Sequence, residues 1–244
     1  MSSKSKSPTE VTLHVSPSPE SSFKSMALIT CLAFSNQNLI RWKAASPADA
    51  KVEAEDDIPP ARLERTIRVS KRREMSPDTL VVTASVNGEV IGLAVWNPPR
   101  RLWRKEGHFD YWIRRCLELK DTIEDWLWPP SWYKGNLKME YQREVSKKKE
   151  QILRASERET WYLDVLAVHP KFQGRGIGGT LLDWGLQQAE KSGEKMYLES
   201  TEIGVPLYVS RGFRECDKIR LLPDLVIPCM LWDPSSEIKG ARKH

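Results

Sequence analysis

A glycine-rich segment between a strand pattern and a helix pattern constrains this chain more than any other feature. Residues 161–168 (WYLDVLAV) are apolar enough to predict a strand, and the apolar residues after Thr180 recur at helical spacing. Four glycines lie between them, within residues 174–179. An ordinary turn needs only one glycine, so this loop leaves backbone N–H groups uncovered at the start of a helix. The segment therefore predicts a binding site for phosphate oxygens.

Two common phosphate-binding loops fit this segment poorly. A P-loop requires Lys before its Ser or Thr, but here Gly179 precedes Thr180. The dinucleotide pattern G-x-G-x-x-G is met by Gly174, Gly176 and Gly179, and Glu199 follows at a suitable distance. However, five residues that include a proline separate the strand from the first glycine, and too few residues follow for a doubly wound sheet. A NAD site is therefore the weaker interpretation.

The order of strand, Val-His-Pro and Gln-Gly-Arg-Gly-Ile-Gly resembles the signature of the GNAT superfamily of acyl-CoA-dependent N-acetyltransferases. Gln173, Gly176 and Gly178 match the family pattern Gln/Arg-x-x-Gly-x-Gly/Ala in order. Downstream, residues 207–213 (LYVSRGF) are similar to the family segment Leu-Tyr-x-x-x-Gly-Phe. The resemblance spans residues 161–213.

This resemblance implies a fold, a reaction and a binding site. The implied fold is α/β (α+β), with a central mixed, mostly antiparallel sheet flanked by helices. The implied reaction transfers an acetyl group from acetyl-CoA, as co-substrate, to a primary amine by direct attack in a ternary complex. The residues implied to hold acetyl-CoA through its pantetheine arm and pyrophosphate are Leu166, Ala167, Val168, Gln173, Gly174, Arg175, Gly176, Ile177, Gly178 and Gly179.

Tyr208 matches the tyrosine that the family uses as a general acid toward the leaving CoA thiolate. The alternative is a tyrosine that only packs a short helix. The family often has an asparagine before this tyrosine that contacts the CoA arm, and this chain has none there. Ser200 or Thr201 supplies a hydroxyl in its place.

The proton of the acceptor amine needs a base, because an amine of pKa about 10.4 is protonated at neutral pH. Asp164 is the first candidate, since strict strand alternation places it with Tyr162, Leu166 and Val168, among apolar neighbours that raise the pKa of a carboxyl. Its alternative role is to bind loop N–H groups. Glu199 is the second candidate, and a water chain is the alternative to both.

Residues 1–8 are predicted to form a disordered tail, and residues 9–244 a single GNAT-like acetyltransferase domain with a helical insertion at about 100–159. Large aromatic residues in this insertion either line an acceptor pocket or partner surface, or, more simply, anchor the helices on the sheet. Six of the ten tryptophans fall at or inside it: Trp96, Trp103, Trp112, Trp126, Trp128 and Trp132.

Local patterns predict the other elements. Asn87 and Gly88 between two β-branched stretches predict a type I′ hairpin over residues 79–96. Pro19, after Ser18, predicts the start of a helix that ends near residue 34. Further helical regions are predicted at 56–73, broken at its start by Pro59–Pro60, and at 205–210. The helical insertion is predicted to be interrupted at Pro129–Pro130 and Gly135. Further strands are predicted at 11–15, 195–199, 213–222 and 226–232.

Composition excludes several classes of protein. The longest apolar stretch, residues 26–34, is about half the length of a membrane-spanning helix. The net charge of +5 falls within residues 100–158, where charges alternate in sign, which argues against nucleic-acid binding. The four cysteines have neither disulfide nor zinc-ligand spacing, so no metal is expected and the cytoplasm is the predicted compartment, with the nucleus left open.

The acceptor is expected to be a small-molecule amine or a peptide amine, and the small molecule is slightly favoured. The sequence leaves the oligomeric state open. The alternative function is a non-catalytic CoA-binding interaction module that uses the Trp-rich insertion to bind a protein partner.

Overall fold

A twisted sheet of seven strands with helices on both faces forms the described part of the chain. The computed structural model describes residues 10–35, 52–127, 135–155, 159–222 and 225–235. Strands β1 to β7 span Thr12–Val15, Leu80–Val86, Glu89–Asn97, Thr160–Val168, Lys195–Glu199, Arg214–Leu222 and Leu225–Trp232. Helices α1 to α6 span Ser22–Phe34, Pro60–Met75, His108–Leu127, Gly135–Ala155, Ile177–Ser192 and Val205–Val209.

The strand order in the sheet is β1-β2-β3-β4-β5-β7-β6. Only β4 and β5 pair in parallel, and the other neighbours are antiparallel. A parallel pair needs a crossover connection, which helix α5 provides. The mixed, mostly antiparallel sheet implied by the family resemblance is thus confirmed.

The β2–β3 hairpin forms as its turn residues predict. Asn87 and Gly88 both have positive φ, at 51° and 81°. Two consecutive left-handed residues define the type I′ turn, whose twist matches that of the flanking strands. Leu80 pairs with Trp96 at the far end of the hairpin.

One predicted helix start is wrong by three residues. Helix α1 begins at Ser22 and not at Pro19, because residues 19–21 form a separate turn in which the Ser22 N–H donates to the Pro19 carbonyl (2.9 Å). In the predicted helical region at 56–73 the break at Pro59–Pro60 is confirmed: Glu55–Asp57 form a short 3-10 helix, and helix α2 begins at Pro60. Proline fits the first helical position, where an N–H has no acceptor within the helix. The predicted tail at 1–8 and the predicted break at 129–130 lie outside the described residues.

The sheet separates two hydrophobic layers. On one face, α5 packs on β2, β3 and β4, and buries Leu181 and Leu182 against Trp96. On the other face, α1 and α2 cover β2 to β4, and α4 covers β5 to β7. Helix α4 contributes Tyr141 and Val145 to this second layer.

The stretch between β3 and β4 contains helices α3 and α4, and α3 does not anchor itself on the sheet through its tryptophans. The exposed fractions of Trp112 and Trp126 are 65% and 79%. The anchoring interpretation is therefore wrong for these two, whereas Trp96 on β3 is buried. Trp128 and Trp132 lie outside the described residues. None of the described helices has the length and apolarity needed to span a membrane.

Gly185 allows α5 to approach β3 closely. A Cβ atom at this position would overlap the indole ring of Trp96, which is itself fully buried. We expect Gly185→Ala to lower the free energy of unfolding by about 1–3 kcal/mol through overpacking. Denaturant unfolding of Gly185→Ala, Trp96→Phe and the double variant tests this. Gly185→Ala must lower the free energy of unfolding by less in the Trp96→Phe variant than in the wild type. An equal loss in both would contradict the close approach of α5 to β3.

Candidate active site

Strands β4 and β5 separate at the centre of the sheet. They pair only over residues 160–163 and 195–198, and the register ends at Leu163 and Leu198. From Val165 to Val168, β4 keeps its pairing with β3 on the other side. The edge of β4 that faces β5 is thus left for another group to contact.

A β-bulge at Asp164 marks the point of separation. On β3, Val95 faces Val165 and the next residue, Trp96, faces Leu163, so Asp164 is the extra residue. A bulge reverses the alternation of side chains along a strand. The predicted grouping of Asp164 with Leu166 and Val168 is therefore wrong: those two pack in the α5-side core together with Leu163.

The separated strands border a cavity of about 530 Å³. Its wall consists of the end of α1, strand β4, the glycine loop with the start of α5, and the β5–α6 segment. The residues that line it are Leu32, Ala33, Phe34, Leu163, Asp164, Val165, Leu166, Ala167, Val168, Pro170, Phe172, Gln173, Gly174, Gly176, Ile177, Gly178, Gly179, Glu199, Thr201, Ile203, Gly204, Leu207 and Tyr208.

Every residue predicted for the site lines this cavity except Arg175. The Arg175 guanidinium instead donates to the Lys171 carbonyl (2.9 Å) and lies near the Phe172 ring. The structure thus brings the predicted residues together, and their binding and catalytic roles remain predictions.

The glycine loop presents backbone to the cavity. Gly174 and Gly176 have φ of 72° and 83°, which L side chains rarely adopt, and a Cβ at either position would point into open space. The first intrahelical bond of α5 runs from the Thr180 N–H to the Gly176 carbonyl (3.0 Å). The preceding amides have no acceptor within the helix, so they can bind an anion. The Gln173 amide donates to the Val168 carbonyl (3.0 Å) and ties the loop to β4.

Tyr208 lies on the short helix α6 and borders the cavity. Its ring makes an edge contact with Phe213, at 5.7 Å between ring centroids. Burial raises the pKa of Tyr208 above its ordinary value. The hydroxyl therefore keeps its proton at neutral pH and can act as a donor.

Asp164 does not lie among apolar neighbours. Its carboxylate accepts from the Arg73 guanidinium of α2 at 2.5 Å, and a third of its side chain is exposed. The buried, apolar surroundings expected for Asp164 are therefore not what the structure provides.

Glu199 has the buried surroundings that were expected for Asp164. One carboxylate oxygen, Oε2, accepts from the Tyr162 hydroxyl at 2.7 Å. The other, Oε1, is buried and has no hydrogen-bond partner of good geometry among the residues that the structure describes. Burial raises the pKa of Glu199, and the Tyr162 hydrogen bond opposes the shift. The Tyr197 hydroxyl lies close enough to oppose the shift as well. A buried carboxylate with a raised pKa is suited to take a proton.

Lys149 of helix α4 lies next to the Tyr162–Glu199 hydrogen bond. Its ammonium lies 3.3 Å from the centre of the Tyr162 ring, and Tyr162 in turn donates to Glu199. Burial lowers the pKa of Lys149, while its positive charge favours the ionised form of Glu199. No sequence motif indicates this contact, because α4 and β4 meet only through the tertiary fold.

Sequence reasoning also missed the far wall of the cavity. Phe34 at the end of α1 and Ile203 before α6 both line it, and neither belongs to a recognisable motif. Of the two hydroxyls predicted to face the CoA arm, Thr201 lines the cavity. Ser200 is buried and donates to the Thr201 carbonyl (2.7 Å).

Sequence comparisons agree with this arrangement. Residues 146–215, which include β4, the glycine loop and α5, match the family described as Acetyltransferase (GNAT) domain. A stretch of 41 residues is 49% identical to the probable acyltransferase SID5 of Ajellomyces capsulatus. That stretch covers 17% of this chain and 30% of the length of SID5.

Solved structures share the fold at low sequence identity. A structure described as histone acetyltransferase HPA2 and related acetyltransferase, from Corynebacterium glutamicum, is 18% identical with a TM-score of 0.54, over 91% of this chain and 96% of that one. The polyamine N-acetyltransferase of Drosophila melanogaster is 14% identical with a TM-score of 0.53, over 91% of this chain and 100% of that one. Residues 146–215 thus match the GNAT acetyltransferase domain family, and the described chain shares the fold of these solved acetyltransferases.

Proposed function

We propose that this chain is an N-acetyltransferase that transfers the acetyl group of acetyl-CoA to the primary amine of a small cationic acceptor. One observation carries the proposal: the free edge of β4, the glycine loop, Glu199 and Tyr208 all border the same cavity. A donor site and two proton-handling groups are thus adjacent, as direct acetyl transfer requires.

The donor side of the cavity suits a long molecule with a phosphate-bearing end. The open edge of β4 offers main-chain groups to an extended amide-containing arm. The amides before Thr180 and the positive end of α5 suit a pyrophosphate. Because Gly174 and Gly176 have no side chain, phosphate oxygens can approach the backbone directly.

The chemistry follows from the two proton-handling groups. Acetyl-CoA supplies an activated acetyl thioester. A neutral amine forms the new N–C bond at the thioester carbonyl as the C–S bond breaks. Glu199 takes the proton that the amine nitrogen loses, and the Tyr208 hydroxyl donates a proton to the departing thiolate. A backbone N–H of β4 polarises the carbonyl oxygen during attack.

The charge of the cavity favours a cationic acceptor. Among the residues that line it, the charged ones are Asp164 and Glu199, and both are acidic. Leu32, Phe34 and Ile203 make the remaining wall apolar. An amine with a short apolar body and no carboxylate fits this composition better than an amino acid does, because the described lining residues include no Lys or Arg that could pair with a carboxylate.

A turnover assay tests the proposal. Thiol release from acetyl-CoA is measured with a set of primary amines that includes a diamine, an aromatic ethylamine, an amino acid and a lysine-containing peptide. We expect turnover with the cationic small amines, and at least tenfold lower kcat/KM with the amino acid. Acetyl-CoA binding without turnover of any amine would instead support the non-catalytic module, and a preference for the peptide would contradict a small acceptor.

The pH dependence of turnover tests Glu199 as the base. Because burial raises its pKa, kcat/KM should rise with pH along a limb above the ordinary glutamate pKa of about 4.3. The pH profile of kcat/KM has a second rising limb, which reflects deprotonation of the acceptor amine. This second limb must move along the pH axis when an acceptor of different amine pKa is used, whereas the limb that reflects Glu199 stays at the same pH. Glu199→Gln should remove the fixed limb. If the limb persists in Glu199→Gln, a different group accepts the proton.

Lys149 should determine the pH at which the Glu199 limb of kcat/KM lies. Lys149→Met removes a positive charge that favours ionised Glu199, so the limb should move to higher pH. Lys149→Arg keeps the charge and should leave the limb near its original position. Lys147→Met, on the exposed side of the same helix, is the matched control. A limb that moves equally in Lys149→Met and Lys147→Met would contradict a specific role for Lys149.

A further inference from the structure

Helix α3 turns its charged face toward the rest of the protein. Asp121 pairs with two arginines of α2, at 2.6 Å to Arg72 and 3.3 Å to Arg68. Arg68 also reaches Glu124 at 3.4 Å. An amphipathic helix on a protein surface normally buries its apolar face, so this helix is inverted.

The outward face of α3 is apolar along the whole helix. Its residues recur at alternating spacings of three and four, which is the a/d pattern of a coiled-coil seam. Large fractions of Phe109 (77%), Leu119 (61%) and Trp126 (79%) are exposed. We call this face the α3 seam, and it consists of Phe109, Trp112, Cys116, Leu119, Ile123 and Trp126.

We propose that the α3 seam pairs in antiparallel orientation with the α3 seam of a second copy of this chain. The spacing specifies the kind of partner, because a seam with a 3.5-residue period fits knobs into the holes of another helix. This proposal concerns assembly and does not depend on the proposed acetyl transfer.

The exposed area of the seam matches a dimer interface. The seam and its flanking Ile113 and Leu127 expose roughly 800 Å² of largely apolar surface, taking ordinary areas for these side chains. That is about what each partner contributes to a specific interface of standard size. An isolated patch of this size on a monomer is uncommon.

Charges beside the seam select the antiparallel orientation. In a parallel pair, Arg115 of one copy would face Lys120 of the other across the interface, a like-charge contact. In an antiparallel pair, Arg115 of one copy approaches Thr122 of the other. The aliphatic stem of Lys120 then covers Ile113 of the other copy. An anionic membrane surface fits less well, because α3 carries more acidic than basic residues.

Two matched substitutions test the seam. Leu119→Glu places a charge in the seam, whereas Leu117→Glu makes the same change at an exposed position (40%) outside it. By sedimentation equilibrium, the wild type and Leu117→Glu should have twice the chain mass of 28.1 kDa, and Leu119→Glu should have the single mass. Circular dichroism and acetyl-CoA affinity should be equal in all three, which separates dissociation from unfolding.

Three outcomes would overturn the proposal. A monomeric wild type means that no second copy covers the seam, and crosslinking of a foreign helical protein to the seam would then identify a different occupant. A dimer that survives Leu119→Glu has its interface elsewhere. Equal dissociation of Leu117→Glu means that the effect is not specific to the seam.

Disulfide trapping tests the orientation. In the antiparallel pair, Cys116 lies opposite Leu119 of the second copy, so mild oxidation should link Leu119→Cys chains covalently but not the wild type. Adding Cys116→Ser to Leu119→Cys should abolish the link, which excludes the exposed Cys216 as its source. Covalent dimers of the wild type that depend on Cys116 would instead show a parallel pair and contradict the proposed orientation.

Discussion

Gly176→Val should weaken acetyl-CoA binding about 100-fold. A valine is strained at a φ near 83°, so the loop relaxes away from the conformation that directs its backbone amides into the cavity. Its side chain would also project into the open space where phosphate oxygens approach the loop amides. Loss of one or two charge-assisted hydrogen bonds between these amides and the pyrophosphate accounts for an effect of about 100-fold. Isothermal titration with acetyl-CoA measures the effect.

The same helix offers a matched control. Gly193 at the C-terminal end of α5 also has positive φ (70°) and open space around its missing Cβ. Gly193→Val should therefore carry a similar backbone strain and a similar loss of stability, but bind acetyl-CoA like the wild type. Equal loss of affinity in both variants would mean that Gly176 acts through stability, and unchanged affinity in Gly176→Val would remove the loop from the donor site.

Tyr208→Phe should lower kcat by about 100-fold or more, the usual contribution of a general acid, and leave acetyl-CoA affinity unchanged. Phenylalanine keeps the edge contact with Phe213, so the variant should fold normally. Steady-state kinetics and titration with acetyl-CoA measure the two effects.

A second acetyl donor separates a chemical role of Tyr208 from a structural one. An aryl thioester of acetate has a more acidic leaving thiol, which departs without a proton. The loss of kcat in Tyr208→Phe should be much smaller with this donor than with acetyl-CoA. An equal loss with both donors, or full activity with acetyl-CoA, would contradict the role of Tyr208 as general acid.

Local patterns predicted the fold well where local interactions decide it. The hairpin with Asn87 and Gly88 is fixed by two residues that tolerate positive φ, and strand β5 matches its prediction to the residue. The bulge at Asp164 was not predictable, because strict alternation assumes that each residue faces one partner. That single extra residue changed which side chains face the α5-side core.

The candidate site was predictable where it is continuous in sequence. The glycine loop and β4 form one segment, so nearly all of their predicted residues line the cavity. Arg73, Lys149 and Phe34 come from three distant helices, and no motif connects them to the loop. Arg73 pairs with Asp164, whereas burial in the folded protein gives Glu199 the surroundings of a proton acceptor.

The orientation of α3 was likewise beyond the sequence. Its pattern is amphipathic, and the expectation from burial is that Trp112 and Trp126 face the protein. Ion pairs from Arg68 and Arg72 to Asp121 hold the opposite face inward. Which face of an amphipathic helix is buried depends on partners elsewhere in the chain, and here those partners are charged.

The central claim is that the cavity between β4 and β5 binds acetyl-CoA. Calorimetric titration of the purified wild-type chain with acetyl-CoA, with NAD titrated in parallel, tests it most directly. We predict micromolar binding of acetyl-CoA and no binding of NAD. Binding of NAD instead, or of neither ligand, would contradict the assignment of the glycine loop and the acetyl-transfer function built on it.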